Sequence, residues 1–316
     1  MRGVIERRGV NIVQTLHATL LLLLPTLATI IAIALGVAHG VKVWELAILG
    51  VMYVATMIGI TLGLHRMLAH RCFQASRALR VVLAILGSMA AQGPPVYWAS
   101  NHRRHHTYSD VAGDLHSPHR DGDLELTGLR GFWHAHVGWT FNHALTNTAI
   151  FSKDLLRDRD LTIVNRHYYL WVLLGLVLPG VAGWLIERNG EGFLDGVLWG
   201  GGVRLFLSYH FISSINSVVH VSGYRRFNTH ESSRNNYWLA LPTLGESWHN
   251  NHHANPRAAN FGCTWWEFDF GWLLIRLFSR LGWVRNMNHR VVSLEEKEVL
   301  RPTTRRLRSG LKERKL

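Results

Sequence analysis

Cysteine is almost missing: 316 residues hold only Cys72 and Cys263. Two thiols cannot build a Cys-X-X-Cys metal framework or ligate an iron–sulfur cluster, and in a cytoplasmic setting both are expected reduced. The sequence also has no His-Pro-Gly-Gly haem-binding segment and no Gly-X-Gly-X-X-Gly turn to open a dinucleotide site. Any electron-transfer group is therefore expected to come from another protein. Acidic residues are few, 21 against 34 Lys and Arg, which gives a net charge of +13.

Charge of either sign is absent over long stretches. No Asp, Glu, Lys or Arg occurs from Gly9 to Val41, from Leu46 to His65, or from His167 to Ile186, and a fourth apolar run from Asp195 to His220 is broken only by Arg204. Each is long enough to cross a hydrocarbon layer of about 30 Å. The pattern predicts four membrane-spanning helices in two hairpins, over residues 12–37, 44–65, 168–187 and 195–220, within a single domain covering 1–316. The first run has no small-residue cleavage site followed by a polar mature region, so it reads as a retained helix and not a signal peptide. MRGVIERR and the tail RPTTRRLRSGLKERKL are strongly basic, whereas the turns near Lys42 and Arg188 carry one basic residue each. The positive-inside rule then puts both termini in the cytoplasm. Regions 66–167 and 221–300 become cytoplasmic, provided that Val81–Val96, interrupted by Gly87, Gly93, Pro94 and Pro95, lies at the interface and does not span. The tail, residues 301–316, reads as a solvated extension that can touch anionic lipid. Arg204 needs a partner inside its span, and Glu45 is one choice.

Histidine, by contrast, is abundant and patterned. His249, His252 and His253 in WHNNHH stand at offsets 0, +3 and +4, one face of a helix, and His102, His105 and His106 in NHRRHH repeat the spacing. GLHRMLAH adds His65 and His70, five apart and about 140° apart on an ideal helix, so they share a site only if the helix loosens or ends between them. INSVVH adds Asn216 and His220, again on one face. Crowded imidazoles repel one another once protonated, whereas a metal holds them neutral. Nine are too many for one ion; two first-row metals with four or five each would use them, with Asn216 reaching one metal directly or through water. Iron suits imidazole coordination if the chemistry is redox. Soluble di-iron bundles use carboxylates in a Glu-X-X-His pattern, and here nitrogen is expected to replace carboxylate. All four histidine groups fall on the cytoplasmic side of the predicted topology.

In that order and between two predicted hairpins, HRMLAH, HRRHH, NSVVH and HNNHH resemble the membrane fatty acid desaturases of the acyl-CoA (stearoyl-CoA, delta-9) type. GFWHAHVGW, KDLLRDRDLTIVNRHYYLWVLLG and SRNNYWLALPTLGESWHNNHHANP extend the likeness over about Thr61 to Trp283. The resemblance implies an all-α integral membrane enzyme whose cytoplasmic helical cap holds an all-histidine di-iron (Fe2+) site. It inserts a cis double bond, expected near the middle of a fatty acyl chain, with dioxygen as oxidant. By matching positions the ligands are His65, His70, His102, His105, His106, His220, His249, His252 and His253, with Asn216 acting through water. Met57, Thr61, Phe211 and Ser213 are expected along the acyl tunnel, and Asp110, Asp114 and Asp269 behind the imidazoles. The remaining His116, His119, His134, His136, His143 and His210 are expected to be non-ligands.

The implied partners are a fatty acyl group on coenzyme A, acyl carrier protein or phospholipid, and a separate ferredoxin, rubredoxin or cytochrome fed by an NAD(P)H reductase. The lipid bilayer, expected to be a bacterial inner membrane, completes the set, and no nucleic acid is expected. Ser100 and Asn101 stand where acyl-CoA members carry Arg-Asp, which bears on recognition of the thioester carrier. Ser213 replaces a Trp beside the acyl bend, and HRDGDLELTGLR lengthens the loop after the second box. A hydroxylase, an acetylenase or a terminal-alkene-forming decarboxylase stays open beside the desaturase. So does a membrane metal-binding or transport protein, although transport ligands belong at mid-membrane.

Overall fold

The structure is a computed structural model, and it describes residues 3–5, 8–141 and 143–289. Helix α1 (Arg8–His39) and α2 (Val43–Ile58) form the first long pair, and α2 runs on without a break into a π-helical segment, Gly59–Ala69. Two further helices, Tyr168–Glu187 and a continuous run from Gly190 to Asn216, form the second. Three stretches are long and apolar enough to cross a membrane: Ile12–His39, Val43–Ala69 and Tyr168–Glu187, with mean hydropathy 2.6, 2.0 and 2.0. Most of their surface faces outward, which for helices this apolar calls for lipid. The basic tail, residues 301–316, lies outside the described residues.

The fourth helix holds the others together. Between Gly196 and Arg204 it becomes π-helical, and three successive glycines there face three different helices. A Cβ on Gly200 would sit 2.5 Å from Ile48 and Pro179, one on Gly201 3.0 Å from Leu176, and one on Gly202 2.3 Å from Ala28. Only a residue without a side chain allows all three approaches. Arg204 follows, fully buried, and donates to the carbonyls of Gly200 (3.1 Å), Met89 (2.6 Å) and Gly175 (2.6 Å). Glu45, expected as its partner, instead accepts the Lys42 amide (2.8 Å) at the start of α2. Carbonyl dipoles, not a carboxylate, satisfy this guanidinium.

The segment Val81–Val96 does not form a spanning helix. It is divided between α3 (Arg77–Ser88) and α4 (Pro95–Tyr108), and the 12 residues of α3 reach only about 18 Å. Leu83 and Leu79 of α3 pack on the π-segment residues Leu62, Leu64 and Leu68, and Val96 and Ala99 of α4 join the same core. Short strand pairs tie the two ends of the described residues to the body of the protein: Val4–Ile5 pairs with Leu145–Thr146, and Gln74–Ala75 with Val284–Arg285. The inserted loop forms a small hairpin, Arg120–Asp121 against Leu124–Glu125, before helix α5 (Gly128–His136).

Candidate metal centre

Each histidine group is placed by a different local device. His70 donates its amide to the His65 carbonyl, 3.1 Å away, and this i→i+5 bond sets residues five apart nearly above one another. The 140° separation of an ideal helix disappears, and the two rings lie 4.9 Å apart. Helix α4, entered through Pro94 and Pro95, carries His102, His105 and His106. His220 ends a 3-10 turn just after Asn216, and His249–Ala254 is a helix of 6 residues bearing the last three. The two asparagines inside HNNHH anchor that short helix. Asn250 Oδ1 accepts the amides of Arg226 and Phe227 (2.7 Å each), while Asn251 exchanges hydrogen bonds with Asn235 (2.8 and 3.1 Å).

The nine histidines meet in two groups, five and four, with no member shared: His65, His70, His102, His106 and His252 in one, His105, His220, His249 and His253 in the other. Within each group one nitrogen from every ring lies within 4.8 Å of all the others. Both three-histidine boxes are split. His102 and His106, at i and i+4, join the first group while His105 joins the second; His249 and His253 join the second while His252 joins the first. The rings of His106 and His253 stack 4.3 Å apart where the groups adjoin.

The nitrogens suit an ion better than they suit one another. In the first group Nε2 of His252 is 3.0 Å from Nε2 of both His65 and His106, and Nε2 of His102 is 2.8 Å from that of His70. Imidazole nitrogens bound about 2.1 Å from one ion at right angles stand about 3.0 Å apart. In the second group Nε2 of His105, His220 and His253 and Nδ1 of His249 are buried and lack any hydrogen-bond partner. Leaving four such atoms bare is costly unless something binds them. Burial, followed by neighbouring imidazoles, holds His70, His102, His106, His249, His252 and His253 well below the usual histidine range, so they are neutral at pH 7.

Carboxylates stand behind the rings. Asp114 accepts from His105 Nδ1 at 2.9 Å; burial alone would raise its pKa, yet His105 brings it down to about 2. Asp110 accepts from His220 Nδ1 (3.1 Å), Ser117 (2.7 Å) and the Ser232 amide (2.8 Å). Two more were missed from sequence. Glu246 accepts from His65 Nδ1 and from the Thr61 hydroxyl, and Glu231 lies 3.7 Å from His253 Nδ1. Glu246 and His249 do carry the Glu-X-X-His spacing of carboxylate di-iron bundles, which the expectation of nitrogen alone passed over. The carboxylate goes to the outer nitrogen of His65, not to the converging ones. Asp269, expected in a supporting role, holds Arg66 instead, at 2.9 and 3.2 Å, and caps the helix Phe270–Arg280 through Trp272 N.

An apolar cavity of about 280 Å³ ends against this centre at His102, His116 and Asn216. Of the four residues expected to line an acyl tunnel, Ser213 lines this cavity. Met57 packs instead with Ile60, Ala90 and Leu244, Thr61 is turned to Glu246, and Phe211 meets Tyr53 edge-on. Of the two helices from which these residues were drawn, the run from Gly190 to Asn216 lines the cavity and α2 with its π-helical continuation does not. Of the histidines expected to be non-ligands, none belongs to the five or the four; His136 pairs with His210 at 3.0 Å, and His116 lies against His105, ring centres 4.4 Å apart.

The family model for fatty acid desaturases matches residues 42–290. The chain belongs to the fatty acid desaturase family. It is 45% identical over 273 residues, 86% of this chain and 85% of the relative, to a hex-5-enoyl-[acyl-carrier protein] acetylenase of Moorena producens (strain JHB). It is 34% identical over 233 residues, 73% and 78% of the two chains, to the sn-1 stearoyl-lipid 9-desaturase of Anabaena variabilis. With the enzyme of that description in Synechocystis sp. (strain ATCC 27184 / PCC 6803 / Kazusa) it shares 36% over 240 residues, 75% and 69%. The desaturase match spans α2 through the helix Phe270–Arg280, so all nine histidines lie within it.

Proposed function

We propose that this chain desaturates a fatty acyl group with dioxygen at a pair of irons, one held by the five-histidine group and one by the four-histidine group, with Asn216 reaching the second through water. The observation that carries the reading is the convergence of nine buried or half-buried imidazoles, six of them held in the neutral form, into two adjoining groups at the end of an apolar cavity. Methylene C–H bonds are beyond side-chain acid–base chemistry, and reduced iron with dioxygen supplies an oxidant strong enough to break them. Overall, R–CH2–CH2–R′ + O2 + 2 e− + 2 H+ gives R–CH=CH–R′ + 2 H2O, the electrons coming from a separate ferredoxin, rubredoxin or cytochrome served by NAD(P)H. The protein's own part is positional. Glu246, Asp114 and Asp110 fix ring orientation and tautomer through Nδ1, leaving Nε2 free to face the ion. The apolar wall, with Trp98 and Ile212, excludes water and holds the chain beside His102 and Asn216.

The chain acts as one domain, residues 1–316, with four spans, the fourth formed by 195–220, and with both termini and the site on the cytoplasmic side. Pairing of Val4–Ile5 with Leu145–Thr146, and of Gln74–Ala75 with Val284–Arg285, supports a shared side for the described chain ends and the histidines. A second reading, removal of two hydrogens from an existing alkene to give an alkyne, is favoured by the identity with the Moorena producens acetylenase. Mass spectrometry with bond localisation, on fatty acids from bacteria expressing the chain or its His249→Ala variant, separates the two. A new alkene only with the intact chain is expected; a new alkyne selects the second reading, and hydroxylated or unchanged acids would overturn both.

A further inference from the structure

The fourth helix stops being α-helical at Asn216 and continues as a 3-10 turn, Val218–His220. His220 belongs to the four-histidine group, and Asn216 lines the cavity beside it. The backbone holds this turn poorly. The bond from the His220 amide to the Ser217 carbonyl is 3.4 Å long, beyond the usual range of about 2.7–3.2 Å. Two histidines outside the five and the four grip it from one side. His119 Nε2 donates to the His220 carbonyl (3.3 Å), and His136 Nδ1 lies 2.9 Å from the hydroxyl of the fully buried Ser217. That hydroxyl is 2.9 Å from the Ser213 carbonyl, which can only accept. The directions are then fixed: Ser217 O–H donates to Ser213, His136 Nδ1–H donates to Ser217, and His136 Nε2 accepts from His210 Nδ1–H at 3.0 Å.

Both histidines are placed by the inserted loop, residues 119–130. Its hairpin folds back so that the Leu126 amide bonds to the His119 carbonyl (2.8 Å). Helix α5 then crosses the chain just before His119 so closely that a Cβ on Gly131 would lie 1.9 Å from the Pro118 carbonyl. The Ser117 hydroxyl accepts the His119 amide (3.0 Å) and donates to Asp110 (2.7 Å), the carboxylate behind His220. At the other end of α5 the Tyr209 hydroxyl donates to the His136 carbonyl (3.3 Å), and Phe132 stacks on the His136 ring. Resting on the two-iron reading above, we propose that the inserted hairpin and α5 form a clamp on the Asn216–His220 turn, with His119 and His136 as positioning residues for the four-histidine group. Neither histidine belongs to the two converging groups. They act through the His220 backbone and the Ser217 side chain, and so fix where His220 Nε2 and Asn216 point. None of these bonds reaches the five-histidine group.

The test is anaerobic titration of the full-length, metal-free protein in nanodiscs with Fe2+ against a competing chelator. His119→Ala and His136→Ala are each expected to weaken one of the two sites about 3- to 10-fold and to leave the other unchanged. Combination identifies the site: with Asp114→Asn the losses should fall on the same ion, and with Glu246→Gln on different ions. Rescue separates hydrogen bonding from packing. His119→Gln and His136→Asn keep an N–H near the position of the lost donor and should recover most of the affinity. Ser217→Ala should match His136→Ala, with the double variant no worse than either alone, and it serves if His136→Ala fails to fold. Asp123→Ala, at the exposed hairpin turn, should change neither site. Equal weakening of both sites, unchanged binding at both, or losses that add in the double variant overturn the clamp. A native protein that binds fewer than two ions tightly overturns the two-iron reading together with the clamp. Selective weakening in a protein that oxidises no acyl chain refutes only the oxidation.

Discussion

Glu246→Gln probes the metal centre from behind. In the native chain this buried carboxylate accepts from His65 Nδ1 and Thr61, and it lies 3.5 Å from Nε of Arg66. Glutamine keeps the volume but removes the charge that holds His65 in the Nδ1–H tautomer. Loss of such an outer partner weakens metal binding by about 10- to 100-fold, or about 1.4–2.7 kcal/mol. Because Glu246 supports only the five-histidine group, the loss should fall on one iron of the two. Anaerobic titration with Fe2+ against a competing chelator should show one tight site retained and one weakened. Asp114→Asn, which acts through His105, should produce the converse pattern, with the four-histidine group weakened. Equal weakening of both sites by either substitution, or of neither, would refute the division into two independently supported groups.

Three further consequences follow from the packing and the charges. Asp269→Ala leaves Arg66, which is fully buried and stacked 3.9 Å over the Phe261 ring, without its main counter-charge, and should cost about 3–5 kcal/mol, seen as a lowered melting temperature in detergent. Gly202→Val puts a side chain where Ala28 Cβ would lie 2.3 Å away; a loss of about 1–3 kcal/mol is expected, while a neutral result would mean α1 does not pack there. The lowered pKa values of His70, His102, His106, His249, His252 and His253, set by burial and by neighbouring imidazoles, fix a sign for pH. Below about pH 6.5 the unfolded chain takes up protons that the folded chain refuses, so metal-free protein should lose stability as pH falls through 6.5 and show no such change above about 7.5. A melting temperature that is flat or rising toward pH 5 would contradict the buried, neutral state of these rings.

Much of the histidine grouping was legible because side chains that converge from helices leave a periodic trace. Offsets of 0, +3 and +4 survive folding as helix faces, and the five-residue step from His65 to His70 forecast the loosened helix that the π-segment supplies. How the boxes divide was not legible, since the spacing puts His102, His105 and His106 on one helix face and only the folded structure shows that His105 leaves His102 and His106 for the other group. Glu246 and Glu231 stayed hidden for a different reason. A carboxylate behind an imidazole can come from any loop of the right reach, and no spacing links Glu246 to His65, 181 positions away. Spans were readable where charge was absent over 20 residues or more; the partner of Arg204 was not, because backbone carbonyls leave no mark in composition. The side chains that line the cavity were not readable in advance, because its wall is assembled from α1, α4 and the run from Gly190 to Asn216, and no spacing in the sequence links these segments.

The most direct test of the account is turnover by the purified, iron-loaded chain with a reduced ferredoxin and octanoyl or longer thioester and lipid substrates, read by mass spectrometry of the acyl product. The account predicts a product lighter by two hydrogens, formed only with dioxygen and electrons and lost in His249→Ala. Bound iron at two per chain with no change in any acyl mass, under the same reducing conditions, would contradict it.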